Sequence, residues 1–228
     1  MILSCVKNVA GRPSHKRIAL RDAVTIVTAV PSGDVRGLPW SRDAVPMTDE
    51  IRTRRLLMRR WQPADRAEFA SINADLQVMR YFSTALTRQE SDALIDRIEA
   101  HFAQHGYGLW AVAVEGRLVG FTGLSWVTWE ADFTPALEVG WRLARSAWGH
   151  GYASEAAVAA LCRGFQDVDS VISFTAAANV PSKAVMERIG LHHVDDFDHP
   201  QLADRHPLRR HVLYRADREA WQPPPGLL

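Results

Sequence analysis

The segment Trp148-Gly149-His150-Gly151-Tyr152-Ala153-Ser154-Glu155-Ala156-Ala157 sets two glycines and a run of small residues where a strand turns into a helix. The first amides of a helix have no partner inside it, and with the helix dipole they attract an anion. Small side chains let a ligand approach that backbone closely, so the turn suits a pyrophosphate. It is not a P-loop, because no Gly-Lys-Ser/Thr follows, and it is not the dinucleotide fingerprint, whose third glycine is Ser154 here. A tight turn with a helix cap is the other reading of the same residues.

A second segment, Asn179-Val180-Pro181-Ser182-Lys183-Ala184-Val185-Met186-Glu187-Arg188-Ile189-Gly190-Leu191, puts Asn and Ser at the end of the following strand and ahead of a short helix closed by glycine. Glu138 lies in Leu137 to Leu143, where Leu137, Val139, Trp141 and Leu143 share one face and Glu138, Gly140 and Arg142 the other. It therefore points away from the apolar side, as a reactive carboxylate or as a strand carboxylate paired with Arg142. His192 to Pro200 offers three imidazoles and three carboxylates, but the histidines lack the i, i+4 spacing of a helical metal site, so no metal is expected. Cys162, on an apolar helix, reads as a buried thiol.

The elements that must hold these residues follow from periodicity and punctuation. Leu56 to Met58 makes a short strand, and Pro63 and Asp65 open a helix bearing Phe69 and Ile72. Thr87 and Glu90 form a capping box for a second helix that buries Leu94, Ile95, Ile98 and Phe102 and stops at Gly106. Strands Trp110 to Val114 and Leu118 to Val127 join at Glu115-Gly116, and Leu137 to Leu143 follows, with Gly140 read as a bulge. A helix from Tyr152 to Phe165, a strand from Val171 to Ala176, a helix from Pro181 to Ile189, and strands near Val194 and from His211 to Tyr214 complete the order. Trp110, Trp126, Trp141 and Trp148 read as core, and Trp129 as lining an entrance. One βαβ unit among hairpins predicts an α/β fold of the α+β type with a mixed, mostly antiparallel sheet.

At 228 residues the chain has room for one well-cored domain and an appendage. Residues 1–46 read as a poorly ordered extension, with Met47 as an alternative start, and residues 47–228 as the domain. Lys and Arg number 27 against 26 Asp and Glu, a formal charge of +1, so no whole-molecule field draws the chain to nucleic acid or anionic lipid. The arginines at 52, 54, 55, 59 and 60 alone favour nucleic acid, and on a strand they alternate between faces. Two cysteines make no disulfide framework, and no stretch is long enough to span a bilayer, so a cytoplasmic location is expected.

Taken together, the glycine turn and the Asn179 to Leu191 segment resemble the GCN5-related N-acetyltransferase (GNAT) superfamily, most nearly its ribosomal-protein-alanine N-acetyltransferase-like branch. The acyl-CoA signature Arg/Gln-x-x-Gly-x-Gly/Ala is matched by Gly151 and Ala153, with Trp148 in the Arg/Gln place. The resemblance covers roughly residues 51–215 and implies a six- or seven-stranded sheet splayed at its centre, with helices on both faces. It implies acetyl-CoA as co-substrate, with the pyrophosphate on the amides of His150, Gly151, Tyr152, Ala153 and Ser154. Pantetheine would lie along the backbone at Val139 and Trp141 and reach Asn179 and Ser182. Glu138 becomes the general base for an attacking amine, and Ser182 the proton donor to the leaving thiolate, because Met186 stands where many members carry tyrosine; helix capping is the other role open to Ser182. The acceptor implied is a protein N-terminus or a small-molecule amine; a homodimer is left open. A non-catalytic acyl-CoA-binding sensor is the rival reading.

Overall fold

The computed structural model describes residues 50–227, so the expectations for residues 1–46 and for Met47 fall outside it. Its elements run β1 (Glu50–Arg52), β2 (Leu57–Arg59), α1 (Asp65–Ala74), α2 (Arg88–His105), β3 (Leu109–Val114), β4 (Arg117–Val127), β5 (Ala136–Leu143), α3 (Tyr152–Gly164), β6 (Ser170–Ala176), α4 (Val180–Arg188), β7 (His192–Asp198) and β8 (Arg210–Asp217). They form one eight-stranded sheet in the order β1-β2-β3-β4-β5-β6-β8-β7. Every neighbouring pair is antiparallel except β5 with β6. The sheet has one strand more than the six or seven expected. The extra one, β1, pairs with β2 from Glu50↔Arg59 to Arg52↔Leu57 and is too short to show alternation in the sequence.

Local chemistry fixes the boundaries. Thr87 and Glu90 make the reciprocal capping box on α2, and Gly106 ends that helix in the left-handed conformation at φ 74°. Glu115 and Gly116, at φ 49° and 79°, form the hairpin turn between β3 and β4; two consecutive positive φ values match the right-handed twist of the strands.

The sheet is covered on both faces. Ala156, Ala157, Ala160 and Leu161 of α3 are fully buried, and a Cβ on Gly164 would press to 3.3 Å from the Leu124 methyls, so small residues let this helix lie close to β4 and β5. On the other face, Phe69 of α1 meets Phe121 of β4 edge-on with ring centroids 5.9 Å apart. Phe121 pairs with Arg142, and Ser125 with Glu138, so α1 covers the face that carries the polar residues of β5.

The centre of the sheet is where its continuity fails. β4 and β5 pair without interruption over eight residue pairs, and β6 and β8 over seven, whereas β5 and β6 share the single pair Glu138↔Ile172. Gly140 is not a bulge, because it pairs with Gly123 in unbroken register; the irregularities lie at Val112/Ala113 and His193/Asp195. The splay instead comes from the parallel neighbour diverging after one contact. At the far edge, β7 is exposed at every residue except the half-buried Phe197.

Candidate active site

The divergence of β5 and β6 opens a cleft of about 620 Å³, well within the size range of ligand sites. Its lining includes Glu138, Trp141, His150, Ser154, Asn179 and Ser182. Gly151, Tyr152 and Ala153 line it too, so nine of the ten residues singled out in the sequence meet there. The exception is Val139, whose side chain is fully buried in the core beneath α3 and leaves only its backbone to the opening.

The glycine turn is shaped as an anion cradle. Gly149 and Gly151 sit at φ 80° and 78°, where an L side chain is strained, and no atom lies within 4 Å of a Cβ built on Gly149. Gly151 is the N-cap of α3 and supplies no side-chain cap to the first turn. The chain also braces this turn from the distant β1–β2 connection. Arg55 donates from Nε to Glu155 at 2.7 Å, from its backbone N–H to the same carboxylate at 2.9 Å, and from Nη1 to the His150 carbonyl at 2.9 Å. Thr53 adds a hydrogen bond at 2.6 Å. Burial alone would raise the Glu155 carboxyl, but the bonds from Thr53 and Arg55 outweigh it and hold it below the ordinary range. Three other arginines of that run are also paired, Arg52 with Glu50 at 2.7 Å, Arg59 with Asp65 at 2.7 Å and Arg60 with Glu99, so most of the basic cluster is spent on ion pairs within the chain. Trp148, expected in the core, is 41 % exposed at the rim, its indole N–H bound to the Leu143 carbonyl at 3.0 Å.

Glu138 is 2 % exposed and Arg142 4 %, so the polar face of β5 is not a solvent face. Burial pushes the Glu138 carboxyl up to about 7. The ion pair with Arg142 suggested by their spacing is not made. Arg142 donates instead from Nη1 to Asn73 Oδ1 at 2.6 Å, and its guanidinium lies 4.2 Å from the Phe82 ring.

The far wall is the start of α4. Asn179 caps it, accepting from the Ser182 N–H at 3.3 Å, so capping is not the work of the Ser182 side chain. The Asn179 amide donates to Thr175 Oγ1 at 2.8 Å and to Ser182 Oγ at 3.0 Å. Ser182 Oγ thus accepts one bond and keeps its own proton for donation. Met186, 1 % exposed, brings a thioether with no proton to give.

Beyond Glu138 and on its face of the sheet lies an aromatic floor of which sequence reasoning found only Trp129 and, as a histidine of the loop after β7, His199. Phe174 contacts the rings of Trp129 at 5.8 Å, Phe197 at 5.8 Å and His211 at 6.2 Å, and His199 lies 5.1 Å from Trp129 and 4.9 Å from His211. Both histidines are buried, and burial pushes each down to about 4, so both are neutral at physiological pH. No local pattern marks His211; it reaches the floor because β8 pairs Leu213 with Phe174. His193, by contrast, is exposed and pairs with Asp196 at 2.7 Å. Cys162 lies outside the cleft lining, its thiol pushed up to about 11 by burial.

A splayed sheet, an uncapped glycine turn at a helix start and a buried carboxylate at the closing point of the splay define an acyl-CoA-dependent transferase. The model of the acetyltransferase (GNAT) domain matches residues 55–192, and the chain belongs to that family. It is an acetyl-CoA-dependent N-acetyltransferase. Among curated proteins it is similar to the uncharacterized protein YkkB of Bacillus subtilis, 28 % identical over 146 residues, which are 62 % of this chain and 84 % of that one. Among solved structures it superposes on a GNAT-family acetyltransferase of Bacillus anthracis with a TM-score of 0.63 at 24 % identity, covering 75 % of this chain and 99 % of that one. It also superposes on Mycobacterium smegmatis RimJ in complex with CoA-disulfide, with a TM-score of 0.57 at 20 % identity, covering 72 % and 82 %. No helix among the described residues is long and apolar enough to cross a membrane.

Proposed function

We propose that the protein transfers the acetyl group of acetyl-CoA directly to a primary amine, a protein N-terminus or a small-molecule amine, with Glu138 as the proton acceptor. The observation that carries this reading is the single β5–β6 pair at Glu138, which sets a buried carboxylate of raised pKa where the cleft closes. The pyrophosphate rests on the amides of His150 to Ser154, and the pantetheine runs between the parted strands along the backbone of Val139 to Trp141. An ammonium reaching Glu138 gives up a proton to it, and the free amine attacks the thioester carbonyl carbon. The C–S bond breaks, Ser182 gives its hydroxyl proton to the departing thiolate, and the proton shed by the new amide nitrogen returns to the Ser182 oxygen. Asn179, its polar atoms spent on Thr175 and Ser182, positions that hydroxyl. A group pKa near the working pH suits an acid–base catalyst, and direct attack accords with a Cys162 that stays protonated outside the cleft.

The test is calorimetric titration with acetyl-CoA, CoA and NADH, followed by CoA release against pooled amines and N-terminal peptides. Binding of both CoA species but not NADH, with release, supports the reading. Binding without release with any acceptor favours the sensor, and absence of binding removes the proposal.

A further inference from the structure

Among the described residues, three arginines line the cleft, Arg80, Arg142 and Arg188, against a single carboxylate, Glu138. Arg188 donates to Ser154 in the glycine-turn helix at 3.4 Å, and Arg80 lies over Trp148 at 5.9 Å, so both flank the turn that suits the phosphates. Arg142 is different. It is 4 % exposed, its Nε has no partner, and its one conventional hydrogen bond goes to the neutral Asn73. Phe82 and Phe121 bracket its guanidinium at 4.2 and 5.4 Å, and among the described residues no carboxylate lies within ion-pair distance of it. An uncompensated buried cation is expensive, and a protein interior keeps one where a ligand supplies the counter-charge.

Its place on the sheet says which ligand. Arg142 shares the face of β5 with Glu138, the face covered by α1, whereas α3, whose first amides suit the pyrophosphate, packs on the opposite face. We infer that Arg142 is an anion site for the acceptor, and that the amine acetylated here carries a carboxylate that Arg142 holds while the nitrogen is presented to Glu138. Four residues of strand separate the two, about 13 Å at ~3.3 Å each, so the acceptor is an amino acid with well-separated termini or a short peptide rather than a bare alkylamine. A guanidinium with an unused Nε–H and a fork of further donors is the side chain that grips a carboxylate at two points. The inference rests on the acetyl-transfer reading above.

The experiment compares matched acceptors with and without a carboxylate, 6-aminohexanoate with 6-aminohexanamide and the dipeptide Ala-Ala with its C-terminal amide, in the wild type, Arg142→Met and Arg142→Lys. In the wild type, kcat/KM is expected to favour the carboxylate member by about tenfold or more, the scale of one charge-assisted hydrogen bond. Arg142→Met brings that ratio close to one, and Arg142→Lys, which keeps the charge without the fork, retains part of it. A purely structural arginine would slow both members together and leave the ratio alone, which overturns the inference. So does a wild type indifferent to acceptor charge, or a variant whose loss appears as a raised KM for acetyl-CoA, which would assign the anion to the cofactor. If Arg142→Met does not fold, an undiminished wild-type ratio in Arg142→Lys counts against the site. Acetyl-CoA binding with turnover but no charge preference sinks only this inference, whereas absence of acetyl-CoA binding sinks the transfer reading with it.

Discussion

Glu138 lives under two opposing demands: a base must be ionised to accept a proton, while burial favours its neutral form. With its carboxyl pushed up to about 7, it changes state within the physiological range. Activity is therefore expected to rise with pH through about 7, and Glu138→Gln to lose that limb while lowering kcat by ~10²-fold or more, with acetyl-CoA affinity little changed in a calorimetric titration. The same shift has a stability counterpart. The folded pKa lies above the unfolded one, so the stabilisation is complete below the unfolded pKa and is lost as pH rises through the folded value. Thermal scans at about pH 5 and pH 8 should show a smaller fall in Tm for Glu138→Gln than for the wild type. At α4, Ser182→Ala is expected to slow turnover with little change in Tm, because Asn179 carries the cap; Asn179→Ala, which loses the cap and two further bonds, should cost about 1–2 kcal/mol in denaturant unfolding. The sequence disclosed the types of these residues and their strand parity. It could not disclose that Arg142 is roofed, since its burial depends on Asn73 of α1, more than sixty residues upstream.

At the scale of elements, residues that act on their own neighbours were legible: Thr87 with Glu90, Glu115 with Gly116, and the alanines of α3 each encode a cap, a turn or a thin contact face. Residues whose role depends on distant partners were not. Gly140 looks like a bulge within its own strand, and the opening between that strand and the next is implied by the family resemblance rather than marked by any residue of β5; the divergence of β6 shows it. The bracing of α3 by Arg55 is of the same kind, for Glu155 reads as an ordinary first-turn carboxylate until the β1–β2 connection arrives a hundred residues away in sequence. That brace makes a prediction of its own. Arg55→Ala leaves Glu155 buried without its guanidinium and frees the His150 carbonyl, loosening the turn, so KM for acetyl-CoA should rise about tenfold, roughly the 1.4 kcal/mol of one lost hydrogen bond. kcat should change far less. An equal fall in kcat without change in KM would detach Arg55 from the cofactor site.

The molecule as a whole is one sheet whose two halves meet at a single residue pair. β1 to β5 hold together through antiparallel ladders, as do β6 to β8, and Glu138↔Ile172 is the point of direct pairing between them. A ligand whose amides bond to both parted strands completes what the fold omits. Saturating acetyl-CoA at ~100 times its Kd should add about 2.7 kcal/mol to unfolding, with hydrogen-exchange protection concentrated at the facing edges of β5 and β6. Protection spread evenly over the sheet would speak against insertion between the strands. The other open margin of the sheet has been dealt with differently. β7 ends the order, and its Asp195, Asp196 and Asp198 lie along an exposed strand that would otherwise offer unpaired amides and carbonyls to any passing chain. Two copies pairing there would have to bury these carboxylates and disturb their ion pairs with His193, Arg209 and Arg210. The border is thus defended by charge against fibrous self-association, and the protein can keep one seam of its sheet unpaired for its ligand without inviting its own kind at the other.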